Sequence, residues 1–307
     1  MKPAWSVVIF TILIGAAQGL VVALACAALA AQSVSAAFAG TALVVAEALL
    51  LVGLGVSFAH LGHPERAWRA AMMWRTSWLS REVIVLPVFA VVVALWWLAL
   101  RQGMSTPVMP LLALSMAALL WYCTSMIYAC LSFIQEWAQP LTVVNFTLTG
   151  LASGLVLTCA LAAIAGEQGL LRTAAPIALV VTLVAFATRA LAIRRNATLR
   201  PRSTLQSATG IHAPRLAQQS MGMSAGSFNT REFFHGASRQ ALRQVKGASM
   251  LLGFGVPALL VLWGLWSSAP LAFVLTLAVQ ALGLLADRWF FFAQARHPQN
   301  LYYQVVS

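Results

Sequence analysis

Apolar residues run along this chain in long unbroken stretches, broken by short polar turns. Eight stretches stand out, at 5–31, 36–60, 83–100, 109–134, 141–165, 173–193, 248–266 and 271–294. Each approaches or exceeds the ~20 residues that carry a helix across a hydrocarbon core of ~30 Å. Barrel strands would instead alternate over about ten residues. The pattern predicts an all-α integral membrane protein, an eight-transmembrane-helix bundle forming a single domain over residues 1–307. In the first stretch Ala28-Leu29-Ala30 looks like a leader cleavage site. Its apolar core exceeds the ~7–15 residues of a secretory signal, and its basic head is only Lys2, so a retained helix is expected. Gly15 and Gly19 in that helix form a GxxxG, a spacing that permits close helix approach.

Composition agrees: 61% of residues are hydrophobic, 8% are charged and the mean hydropathy is +0.85, where a soluble domain has about a quarter charged. The net charge of +12 comes with no nucleic-acid recognition motif, so it points to topology and partner docking. With eight spans, both termini and the second, fourth and sixth connections share one face. Of 19 lysines and arginines only Arg101 and Arg172 fall on the other. The positive-inside rule makes the basic face cytoplasmic, with both termini inside. The main polar stretch is the basic loop 194–246. Its glycines match neither a P-loop nor a dinucleotide fingerprint. Phe228, Phe233 and Phe234 within it suit docking on a partner protein, with anionic lipid headgroups as the alternative.

Ionisable groups at membrane depth need a partner or a purpose. Glu47 lies mid-span in the second helix, His60 ends that helix, Glu82 opens the third, and Asp287-Arg288 lie near the end of the eighth. Antiparallel neighbours bring His60 and Glu82 to the same basic face. Between them, Trp68, Trp74 and Trp78 interleave with Arg66, Arg69 and Arg75, as in an amphipathic segment lying among headgroups. A His and a Glu at the hydrocarbon edge suit quinone chemistry, which moves two protons at ring oxygens and needs groups that titrate near neutrality. The plain alternatives are dipole effects. Ser80 is a candidate cap for helix three, Glu82 in a first turn favours the positive helix end, and His60 the negative one. For Asp287 the plain reading is a bond to a neighbouring helix, for Arg288 a side chain snorkelling to headgroups. For Glu47 it is a protonated, hydrogen-bonded acid, against a proton relay. Cys26, Cys123, Cys130 and Cys159 sit in apolar runs as inert thiols. Facing histidines for a haem and a cysteine cluster for iron–sulfur are both missing from the sequence, so neither cofactor is expected in this chain.

At these residues a resemblance emerges. His60-Leu61-Gly62-x-Pro64-x-Arg66-Ala67, followed by Leu79-Ser80-x-Glu82, resembles the membrane-anchor subunit of the dimethyl sulfoxide reductase family. The ending Asp287-Arg288-Trp289-Phe290-Phe291-Phe292, continuing to His297-Pro298-Gln299-Asn300-Leu301-Tyr302-Tyr303, is similar to that family's last helix. The resemblance implies a haem-free anchor in a bacterial cytoplasmic (inner) membrane. Its implied partners are a ferredoxin-like iron–sulfur subunit and a molybdopterin catalytic subunit. It also implies quinone (ubiquinone or menaquinone) binding at His60 and Glu82, with Arg288 at a matching basic position. The face bearing His60 and Glu82 is the basic one. That face, residues 226–235 and the segment Tyr128 to Trp137 resemble anchors of cytoplasm-facing, sulfite-oxidising complexes, which reduce quinone. The alternatives are a quinol-oxidising anchor of the dimethyl sulfoxide reductase type, a tether with quinone bound elsewhere and, in a different class, a secondary transporter built on discontinuous helices.

Overall fold

Caps, prolines and a glycine set several of the span ends in the computed structural model, which describes residues 1–59, 61–104, 106–220 and 233–302. The helices are α1 Trp5–Leu29, α2 Ala36–Phe58, α3 Trp78–Arg101, α4 Val108–Ala129, α5 Pro140–Ala165, α6 Gln168–Ala197, α7 Arg239–Ser267 and α8 Pro270–Ala293. All eight are long and apolar enough to cross a bilayer, and the described residues contain no strand. Ser35 caps α2 by accepting from Phe38 N–H at 3.2 Å. Prolines at the first turns of α5 and α8 sit where no N–H is needed. Gly166, at φ +76°, ends α5 in the left-handed conformation that glycine adopts at little cost.

Three boundaries differ from the sequence expectation. Helix α3 starts at Trp78, because Ser77 rather than Ser80 is its cap, accepting from Ser80 N–H at 3.4 Å. Arg81 fixes the turn before it, donating at 2.9 Å to the carbonyls of both Trp74 and Arg75 with its guanidinium 4.0 Å from the Trp78 ring. Helix α4 stops at Ala129, so Phe133 to Trp137 lie in the turn between α4 and α5. Helices α6 and α7 reach well beyond the hydrocarbon, carrying Arg194, Arg195, Arg239, Arg243 and Lys246 on helix ends. The polar link is therefore shorter than 194–246. Phe228 and most of the 226–235 motif lie outside the described residues. Phe233 is half-buried, stacked on His297 at 3.9 Å, rather than free to dock. Between α2 and α3, Pro64–Ala71 is a 3₁₀ helix exposing Trp68, and Trp74 beyond it is exposed too, as the interleaved pattern predicts.

Helices α1 and α5 form the centre. Gly15 and Gly19 of α1 meet Gly150 and Gly154 of α5 so closely that a Cβ on Gly154 would overlap the Gly19 and Leu20 backbone. Two small residues one turn apart on each helix make this crossing possible, and dispersion between the backbones stabilises it. Around that pair, α2, α3 and α4 pack on one side and α6, α7 and α8 on the other. In α7 a single π turn, Leu251–Gly255, brings Gly253 against Gly283 of α8. The N-terminal amine donates to Ala295 O at 3.0 Å, so both ends of the described chain sit at one end of the bundle.

Candidate functional site

That end of the bundle holds the buried ionisable groups. Glu82 lies in the second turn of α3 and is 5% exposed, beyond the first-turn position that a dipole role requires. Thr124 of α4 donates its hydroxyl to Glu82 Oε1. The same two helices meet again at the membrane-facing edge, where Trp78 and Tyr122 pack edge to face at 5.3 Å. One turn beyond Thr124 on α4 stands Tyr128, within electrostatic reach of both Glu82 and Arg288.

Tyr128 is the hub of an aromatic box. It stacks on Phe146 of α5 at 5.4 Å and meets Trp137, Phe291 and Phe292 edge-on at 5.3 to 5.5 Å. Trp137 is locked by a 3.0 Å bond from its indole N–H to Phe291 O. Arg288, 4% exposed, places its guanidinium 3.8 Å from the Phe146 ring centre, a desolvated cation–π contact and not a snorkelling side chain. Its neighbour Asp287 accepts from Arg189 Nε of α6 at 2.5 Å, with both side chains buried. The bond that Asp287 was expected to make with a neighbouring helix is therefore an ion pair to α6.

Glu136, Gln139, Asn145, Arg189, Asp287, Arg288 and Gln294 surround a cavity of about 10 Å³, the room for one water molecule. Gln139 Oε1, Asn145 Oδ1 and Gln294 Nε2 are buried there without a hydrogen-bond partner. Such orphaned groups are costly unless water satisfies them.

Of the expected site residues, Glu82 and Arg288 flank Tyr128 without forming an ion pair, and His60 lies outside the described residues. Glu47 stands apart, between α2 and α3. Sequence reasoning missed Thr124, Tyr128, Glu136 and Arg189 as parts of this cluster. Arg189 lies within the apolar stretch 173–193, where a charge signals a partner across helices.

The fold and this cluster define a multi-pass membrane protein with buried ionisable groups at one end of its bundle. The family described as "DMSO reductase anchor subunit (DmsC)" matches residues 1–215, and the chain belongs to that family, whose members are anchors within multi-subunit oxidoreductases. It is also 46% identical to a sulfite dehydrogenase subunit of Allochromatium vinosum over 327 aligned positions, covering the whole of both chains.

Proposed function

We propose that this chain is the quinone-reactive anchor of a molybdopterin oxidoreductase, passing electrons from an iron–sulfur partner subunit to the membrane quinone pool during sulfite oxidation. One observation carries the assignment: Glu82 is a buried carboxyl, held by Thr124, at the end of the bundle where basic residues collect. The full-length similarity to a subunit of a sulfite dehydrogenase supports the substrate class of the partner. The positive-inside rule supports a cytoplasmic side for this end and both termini in a bacterial inner membrane, and the partners of this proposal dock there.

When bound, the quinone supplies the two-electron, two-proton chemistry; this chain supplies position and protons. The Thr124 hydroxyl occupies Glu82 Oε1, so a proton on Glu82 resides on Oε2, where it can be exchanged with a ring oxygen. The family resemblance makes His60 the second hydrogen-bonding group in this proposal. Arg288 faces a cavity the size of one water and acts from beneath, through Tyr128, by fixing the field around Glu82. The exposed Trp68 and Trp74 beside Arg69 and Arg75 seat the connecting segment at the headgroup layer.

The test is co-purification of the tagged chain followed by metal analysis and rate measurement. Molybdenum, abundant iron and quinone-linked sulfite oxidation are expected. In the His60→Ala and Glu82→Gln complexes the quinone-linked rate collapses, with reduction of a soluble dye by the catalytic subunit as the control for assembly. Full quinone-linked rates in both variants would refute the site.

A further inference from the structure

A second polar feature lies far from that cluster. Between α2 and α3 a groove of about 320 Å³ is walled by Leu43, Leu51, Val93 and Trp97, with Glu47 as its one ionisable group. Val44 and Leu51 on its rim are about half exposed, so the groove opens to the bilayer. Its size falls in the ~300–1,000 Å³ range of sites for small organic ligands. Glu47 Oε2 is buried and lacks a hydrogen-bond partner. Glu47 is twelfth in a helix of 23 residues, so it lies near mid-span. Val93 is eleven residues beyond Glu82, which separates the groove from the first site by about 16 Å along α3.

The surroundings narrow the occupant. A lone water needs two to four polar partners, and apart from the Glu47 carboxyl and the Trp97 indole N–H the lining side chains are apolar. Phospholipid acyl chains carry no acceptor, and their headgroups stay at the interface, roughly 15 Å from mid-span. What fits is a planar ring with acceptor oxygens on its edge and a tail that dissolves in the bilayer. That is the chemistry of a quinone, and it rests on the functional proposal above. We infer that the α2–α3 groove is a second, non-reactive quinone station, where Glu47 as the acid donates its O–H to a ring carbonyl and Leu43, Val93 and Trp97 pack against the ring. The station holds quinone on its way between the pool and Glu82.

The intact complex, in nanodiscs with a photoreactive azidoquinone, tests this by peptide mapping. Adducts are expected at two places, one near Glu82 and one on the peptides bearing Glu47 and Trp97. Glu47→Leu should cut labelling of the groove by about fivefold or more, the worth of roughly one hydrogen bond. Glu47→Gln, which keeps a donor of the same shape, should retain it. Adducts near Glu82 alone, or equal groove labelling in Glu47→Leu, would overturn the second station and leave the first site standing. Labelling of the groove by a photoreactive phospholipid that excess quinone does not displace, or a disulfide between two copies carrying Val44→Cys, would also overturn it. Adducts at neither place would remove the functional proposal as well.

Discussion

At the end of the bundle where Met1 meets Ala295, Glu82, Glu136, Arg189, Asp287 and Arg288 are all buried, each at 8% exposure or less. At the other end Arg101 and Arg172 are exposed, and Glu167 is a half-buried rim residue accepting from Ser35. Both ends border the same apolar core, so the hydrophobic effect does not separate them. The difference is that one end keeps charges out of water and must satisfy them internally, by ion pair, ring face and hydroxyl. That arrangement is costly for a tether and useful for a protein that handles protons, which sets up a series of tests.

The largest effect is expected at Glu82. Glu82→Gln keeps the shape and the Thr124 contact but removes the exchangeable proton, and should lower quinone-linked turnover by ~10²–10⁴-fold, the usual worth of a positioned acid–base group. Arg101→Gln at the opposite end should leave that rate at wild type, so equal losses would break the comparison. Next comes the ion pair. Asp287→Ala strands Arg189 and should destabilise by about 3–5 kcal/mol in detergent unfolding, with the double variant Arg189→Met/Asp287→Leu recovering most of it. At the central crossing, Gly154→Leu should cost at least ~1–3 kcal/mol through overpacking, or prevent assembly outright. Trp137→Phe removes the bond to Phe291 O and should cost about 1 kcal/mol, read by the same unfolding assay.

The smallest effect concerns pH. Burial against Phe233 and, secondarily, the positive N-terminus hold His297 below the ordinary histidine value. The neutral ring is the form that packs, so this contact is at full strength above the ordinary pKa and weakens as pH falls through the lowered one. Corrected for the intrinsic pH dependence of amide exchange, hydrogen-exchange protection of the backbone around residues 233–235 and 297 should fall as pH drops below the ordinary histidine value, and His297→Phe should reduce that fall.

The eight spans were legible because unbroken apolar runs of this length have no soluble alternative. Glu82 was legible because a carboxyl at a span's edge is rare enough to draw attention. The start of α3 was not, since Ser77 and Ser80 are equally good caps by type, and only the tie of Arg81 to Trp74 and Arg75 favours the earlier one. Nor did Gly150 and Gly154 stand out as partners of Gly15 and Gly19, because helix pairing depends on which faces meet. Arg189 carried no local sign of its partner. Its pairing with Asp287 joins residues 98 positions apart, a relation that exists only once α6 and α8 are side by side.

The bond from the N-terminal amine to Ala295 has a consequence for biogenesis. Helices α1 and α8, at opposite ends of the described sequence, contribute neighbouring parts of the same surface. A protein that rests on that surface would find it incomplete until α8 is seated against α1. Docking there would therefore select molecules in which α1 and α8 are seated together, without any separate inspection step.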